Sequence, residues 1–217
     1  LITGGCGYIG SSLGNYFSDK YEVITLDKRK KNIFLNKKIK HYICNLLDQN
    51  KLKKILTKIK PDAVVHLAGQ STIDLVDKKK NEYYKNNILA TNILVKIIKK
   101  LEIPKFIFSS TAAIYDKSKD TLKETSKIKS KNSYGLSKIK CEKILIKNFK
   151  LSKTNYCILR FFNVASSLRE KKIGELHNPE THLIPILINA LYYKKDIQIY
   201  GNNYDTKDGT CLRDYIH

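Results

Sequence analysis

The sequence predicts an α/β protein built on a doubly wound parallel sheet, and three features carry that expectation. Short apolar runs alternate with longer segments of helical period, the pattern left by parallel strands with helices on both faces. A cluster of glycines joins the first apolar run to the first helical segment, and an aspartate, Asp27, closes the second run. At 217 residues the chain is long enough for a sizeable core in one domain or a domain and a half.

In chain order, Leu1-Ile2-Thr3 reads as the last part of a strand, and Leu13 and Phe17 continue beyond the glycines at helical spacing. Further strands are expected at Tyr21–Leu26, His41–Cys44, Ala63–Leu67, Phe106–Phe108 and Tyr156–Leu159. Leu89, Ile93, Ile97 and Leu101 recur every four residues with Leu94 and Ile98 beside them, which places an amphipathic helix on the sheet, stopped by Pro104. Two more helices are expected, from about Asn132 to Phe149 and from about Pro179 to Tyr192. The lysine-rich piece from Asp116 to Lys131 reads as a long surface loop.

Composition excludes several classes. A net charge of +21 invites a nucleic-acid reading, but arginine occurs only at positions 29, 160, 169 and 213, and the lysines are spread from end to end without any nucleic-acid-binding motif. A solvated lysine surface and no nucleic-acid partner are expected. No apolar run approaches the length of a membrane span and no leader pattern opens the chain, so no membrane and a cytoplasmic setting are expected. The five scattered cysteines, Cys6, Cys44, Cys141, Cys157 and Cys211, form no CxxC pair and read as buried free thiols. His177 and His182 have no acidic partner at ligand spacing, so no metal is expected.

Two constellations carry chemistry. Gly4-Gly5-Cys6-Gly7-Tyr8-Ile9-Gly10 can be read as Gly5-x-Gly7-x-x-Gly10 or as Gly4-x-x-Gly7-x-x-Gly10. Either puts a side-chain-free turn at a helix N-terminus, where free N–H groups and the helix dipole bind a pyrophosphate. Asp27 then stands at the distance of a ribose-binding acid, which favours NAD over NADP; the run Lys28-Arg29-Lys30-Lys31 could pair with a 2′-phosphate or equally form a solvated loop. The second constellation is Tyr134-x-x-x-Lys138. Residues four apart share a helix face, so the ammonium can sit beneath a phenol that titrates near ~10 unperturbed and draw it toward neutrality.

GGCGYIG, Asp27, HLAG, EYYKNN, FSSTAAIY, YGLSK, RFFNVA, HNPETHLIP and YDTKDGTCLRDYIH follow one another in an order that resembles the extended short-chain dehydrogenase/reductases, and within them the UDP-sugar 4-epimerase branch of the NAD-dependent epimerase/dehydratase family. The resemblance covers essentially the whole chain. It implies a Rossmann domain over residues 1–163, with its first strand cut short, and a partial sugar-nucleotide-binding lobe over residues 164–217. It also implies interconversion of UDP-galactose and UDP-glucose through a 4-keto intermediate, with tightly held NAD. Tyr134 is then the base for the 4-hydroxyl, Lys138 lowers its pKa and holds the nicotinamide ribose, and Thr111 relays the proton.

By the same residue-by-residue matching, the cofactor is held by Gly4, Gly7, Tyr8, Ile9, Gly10, Asp27, Lys28, Asn45, Leu46, Leu67, Ala68, Gly69, Asn86, Ser109, Tyr134, Lys138 and Phe162. The substrate is met by Thr111, Tyr134, Asn163, His182, Leu183, Gln198, Ile199, Tyr200, Arg213 and Tyr215. Asn45 replaces a usual aspartate, Ser71 a lysine found in part of the family, Asp116 a usual glycine, Phe161 a usual tyrosine, and Asp74-Leu75-Val76 a segment that often carries glycine and serine. A homodimer is implied, and so is a fragment with weak or absent activity, since the family normally continues beyond RDYIH. Ala112 and Ala113 stand where a 4,6-dehydratase needs an acid and a base. An epimerase for another UDP-sugar and a non-catalytic dinucleotide-binding module are the remaining alternatives.

Overall fold

The computed structural model describes residues 1–30, 35–71, 80–116, 121–177 and 180–217, and these form two compact units, Leu1–Phe161 and Phe162–His217. The division thus falls between two phenylalanines, slightly before the expected boundary at Asn163.

The first unit is a six-stranded sheet with every neighbouring pair parallel. Its strands are β1 (Ile2–Thr3), β2 (Ile24–Asp27), β3 (Lys40–Ile43), β4 (Ala63–His66), β5 (Lys105–Thr111) and β6 (Asn155–Phe161), in the spatial order β3-β2-β1-β4-β5-β6. The order reverses between β1 and β4, the place where sheets of this kind open a crevice at the strands' carboxyl ends. Strand β2 starts at Ile24, later than the expected Tyr21, whose ring is exposed and packs edge-on against Phe17.

The helices of this unit are α1 (Tyr8–Phe17), α2 (Gln49–Ile59), α3 (Lys80–Tyr83), α4 (Ala90–Lys100) and α5 (Ser133–Phe149), with a π-helical stretch at Tyr84–Leu89 between α3 and α4. Helix α2 is an addition to the expected elements. Asp48 caps it by accepting from the Lys51 N–H, and its apolar Leu52, Ile55 and Leu56 turn inward. Helix α4 buries Ile97 of the expected four-residue series together with the flanking Leu94 and Ile98, and adds Val95, while Leu89, Ile93 and Leu101 are half-buried. Asn132 caps α5 by accepting from the Gly135 N–H at 2.7 Å.

Leu52, Leu56, Leu94, Ile98, Phe106 and Leu145 form the main core between helices and sheet, each contributing about 1.5–3 kcal/mol by leaving water. The expectation of buried thiols holds for Cys6, Cys44 and Cys141; Cys157 is exposed and Cys211 half-buried. Cys157 lies on β6, whose residues Asn155–Cys157 are all exposed.

The second unit pairs β7 (Asn163–Val164) with β8 (Tyr215–Ile216) in parallel and carries α6 (Leu183–Tyr193). The helix begins after the expected Pro179, which lies outside the described residues, as do Asp74, Leu75 and Val76. Although almost wholly apolar, α6 has no buried residue. No helix among the described residues is long and apolar enough to cross a membrane.

Candidate functional site

The glycine turn is fixed by close approach. Gly4 has φ +71°, and a Cβ there would lie 2.7 Å from the Ala68 nitrogen; one on Gly10 would lie 2.2 Å from the Gly4 carbonyl oxygen. Glycine is therefore the residue that lets this turn stack on the Leu67-Ala68-Gly69 segment and start α1 behind it. Gly7 is the N-cap of α1 in extended conformation and has no side chain to cap with. The first N–H groups of α1 thus lack a side-chain cap, and the positive helix end favours an anion there.

Asp27 closes β2 beside that turn. Its carboxylate accepts from the Cys6 N–H at 3.1 Å, from the Arg29 N–H at 3.0 Å, and from the Arg29 guanidinium through Nε and a terminal nitrogen at 3.2 Å each. Burial pushes its pKa up, but these hydrogen bonds outweigh burial and hold the carboxyl below its usual value. Of the basic run that follows, Arg29 is therefore the ion-pair partner of Asp27, Lys28 is exposed, and Lys31 lies outside the described residues.

The tyrosine–lysine pair lies on α5, facing the end of β5. Burial pushes the Tyr134 phenol up to about 12, and the opposing influence is the Thr111 hydroxyl facing it. That same hydroxyl accepts from the Ala113 N–H at 3.2 Å, which orients it. The Lys138 Nζ donates to the Ser109 carbonyl at 2.8 Å, 4.8 Å from the Phe108 ring centroid and 6.0 Å from that of Tyr134. The ammonium therefore sits beside the tyrosine ring, as the spacing requires, while Thr111 supplies the downward pull on Tyr134 that was expected of Lys138. Burial lowers the pKa of Lys138 itself, with Cys141 and Glu142 opposing the fall.

Further residues gather here that spacing did not reveal. Asn87 is almost fully buried and, through its amide, binds the Gln70 N–H at 2.7 Å, the Gln70 carbonyl at 3.1 Å and the Ser137 hydroxyl at 3.0 Å. It ties the Gly69 segment to α5, whereas Asn86, the residue singled out by resemblance, is only half-buried. Tyr83 packs on Tyr134 with ring centroids 6.1 Å apart. Asn45 is exposed and its side chain accepts from the Leu47 N–H, and Leu46 belongs to the main core. Ser71 is exposed, and Asp116 is paired through its N–H to the Lys127 carbonyl, so the expected surface loop is held at its base.

In the second unit, Asn163 donates its side-chain amide to the Asp214 carbonyl at 2.8 Å, and Tyr200 donates to the Gln198 side chain at 2.8 Å. Phe162, Leu183, Ile199, Tyr200, Arg213 and Tyr215 are exposed. The histidines do have acidic partners, contrary to expectation: Glu175 Oε1 is 2.5 Å from His182 Nδ1 and 3.5 Å from His177 Nδ1. Glu180 accepts from the backbone N–H groups of His177, Thr181 and His182 just before α6. The ligand atoms of Glu175, His177 and His182 lie within 4.8 Å of one another, a grouping that could hold a metal ion. The His182 ring is hydrogen-bonded to Glu175, while the buried Nδ1 of His177 has no hydrogen-bond partner among the described residues.

A parallel sheet of this strand order, a glycine turn under α1 and a tyrosine–lysine pair at the crevice define a Rossmann-type dinucleotide-binding scaffold. The chain matches the NAD dependent epimerase/dehydratase family over residues 1–217 and belongs to it. It is 36% identical over 221 residues to the UDP-glucose 4-epimerase of Halalkalibacterium halodurans, covering 100% of this chain and 66% of that relative's length. A solved UDP-glucose 4-epimerase from Brucella ovis in complex with NAD superposes with a TM-score of 0.92 at 31% identity, covering 100% of this chain and 68% of that one. The UDP-Glc/GlcNAc 4-epimerase of Campylobacter jejuni superposes at 0.82 and 33% identity, covering 100% and 69%.

Proposed function

We propose that this chain carries the cofactor-binding domain and part of the substrate site of an NAD-dependent UDP-glucose 4-epimerase, which interconverts UDP-galactose and UDP-glucose. One observation carries the proposal: the Thr111 hydroxyl faces a half-buried Tyr134 and draws its pKa down, with the Lys138 ammonium beside its ring and only alanines, Ala112 and Ala113, next in the chain.

The residues present fit the cofactor. The glycine turn, so tightly packed that a Cβ at Gly4 or Gly10 would strike backbone, presents the uncapped start of α1, whose N–H groups would meet a pyrophosphate. Asp27 would accept from ribose hydroxyls, for which the Arg29 side chain must give way, and Lys138 would hold the second ribose. NAD, when bound, supplies an acceptor and donor of hydride for C4 of the sugar. Tyr134 takes the proton of the 4-hydroxyl, and Thr111 bridges sugar oxygen and phenol so that the proton passes without entering water. Alanine at positions 112 and 113 provides no acid or base for elimination, so the 4-keto sugar is returned with its stereochemistry inverted. Asn163, His182, Leu183, Gln198, Ile199, Tyr200, Arg213 and Tyr215 would hold the uridine diphosphate, with Arg213 pairing a phosphate. A homodimer in the cytoplasm completes the proposal by family resemblance, and analytical ultracentrifugation tests the dimer.

The test is incubation of the purified full-length protein with UDP-galactose and no added NAD, with UDP-glucose followed by chromatography. UDP-glucose formation supports the proposal. UDP-N-acetylglucosamine run alongside separates a glucose-specific enzyme from a dual-substrate one such as the Campylobacter relative, and no turnover with bound NAD supports a non-catalytic module.

A further inference from the structure

Several segments of the first unit meet at an ion pair between the buried Glu142 and the half-buried Arg160, outside the Thr111–Tyr134–Lys138 group. Glu142, 3% exposed on α5, accepts from the Ser110 hydroxyl at 2.5 Å, from Arg160 Nε at 3.2 Å and from a terminal Arg160 nitrogen at 2.9 Å. The other terminal nitrogen of Arg160, on β6, donates to the Tyr115 hydroxyl and the Glu124 carbonyl, each at 2.9 Å. Tyr134, Lys138 and Glu142 follow one another at four-residue steps, so they share one face of α5. Ser110 immediately precedes Thr111, and Tyr115 follows the short 3-10 turn Ala112–Ile114. The ion pair thus grips the chain on both sides of Thr111 and anchors it to the helix that carries Tyr134.

We propose that Glu142 and Arg160 are positioning residues for the proposed epimerase reaction: acting through Ser110 and Tyr115, they hold the Thr111 hydroxyl in register with the Tyr134 phenol. The inference rests on the function proposed above. Its physical basis is that an ion pair with a desolvated carboxylate, such as Glu142, is an inefficient source of stability, since desolvation offsets much of its attraction. What the pair does supply is direction: a two-bond Arg–carboxylate contact, with Ser110 on the carboxylate and Tyr115 and Glu124 on the other guanidinium nitrogen, fixes orientation. A hydroxyl relay needs that, because a reacting group displaced by about an ångström can cost on the order of a hundredfold in rate.

The groups facing Tyr134 are Thr111 from β5, Tyr83 from α3, and Lys138 and Cys141 from α5. Of these, Thr111 alone is held by the brace and favours the phenolate. Loosening the brace therefore leaves Tyr134 protonated to higher pH and moves the acid limb of the rate profile in the alkaline direction.

The experiment uses Ser110→Ala and Tyr115→Phe in the full-length protein, because each removes one hydroxyl and keeps the ion pair, whereas Glu142→Ala strands Arg160 and can fail to fold. Lys153→Gln, which breaks the exposed Lys153–Glu102 pair, is the control. In both hydroxyl variants kcat should fall about tenfold with KM for UDP-galactose and bound NAD unchanged, and the acid limb of kcat should move up by about half a unit. A lower melting temperature with unaltered kcat and pH profile overturns the brace and leaves a structural role. A parent protein that binds NAD but turns over no UDP-sugar overturns instead the function on which the brace rests.

Discussion

The two units of the chain hold their candidate site residues in opposite ways. In the first, Thr111, Lys138 and Asp27 are each less than a tenth exposed, and Lys138 and Asp27 are bonded to residues far along the chain. In the second, Tyr200 is 83% exposed and bonded to a residue two positions away, and Arg213 is bonded to its neighbour's carbonyl. The difference teaches where each task can be placed. Proton transfer needs groups fixed before the substrate arrives, while gripping a flexible diphosphate tolerates side chains that order on binding.

Thr111→Val probes the pre-fixed side most sharply. It keeps the shape but removes the hydroxyl that draws the Tyr134 pKa down, and steady-state assays should show kcat about a hundredfold lower with NAD still bound. A loss confined to KM would place Thr111 with the gripping residues.

His66 tests how rigid that side is. It is fully buried in β4, hydrogen-bonded to the Thr3 hydroxyl at 2.7 Å and the Thr91 hydroxyl at 2.9 Å, and burial, with Lys138 adding to it, lowers its pKa from 6.5 to about 3. The unfolded chain therefore takes up a proton as pH falls below 6.5 while the folded one refuses it. The stability His66 contributes is complete above 6.5 and declines toward pH 3, by about 1.4 kcal/mol per unit. Urea melts across pH 4–7 should show that slope, and His66→Gln should flatten it.

Gly10→Ala should lower stability by about 1–3 kcal/mol, because the added carbon meets the Gly4 carbonyl, and NAD retention after gel filtration should drop with it. Arg213→Ala should be the mildest to the fold, within about 0.5 kcal/mol of the parent by thermal melt, with the effect confined to a higher KM for the UDP-sugar.

Much of this contrast was legible in the sequence, for identifiable reasons. The four-residue period of α4 and the apolar runs of the sheet report local burial, so the parallel order followed from alternation alone. The Tyr134–Lys138 spacing reported a shared helix face, and the glycines a turn that no side chain fits. Helix α2 carried the same kind of signal in Leu52, Ile55, Leu56 and Ile59, masked by the lysines between them. Two features lay beyond local pattern. The π-helical stretch closes its bonds over five residues instead of four, and within it Asn87 is buried where Asn86 had been singled out. The Glu142–Arg160–Ser110 contact joins residues 18 and 32 positions apart, and only the folded sheet brings them together.

The central claim is that the half-buried Tyr134 hydroxyl exchanges the proton of the sugar's 4-hydroxyl, and Tyr134→Phe tests it most directly. The substitution leaves the ring against Tyr83 and Lys138 and removes one oxygen. With UDP-galactose as substrate, kcat should fall by about a thousandfold while bound NAD and the melting temperature stay at parental values. A phenylalanine variant that converts UDP-galactose at the parental rate would contradict the account.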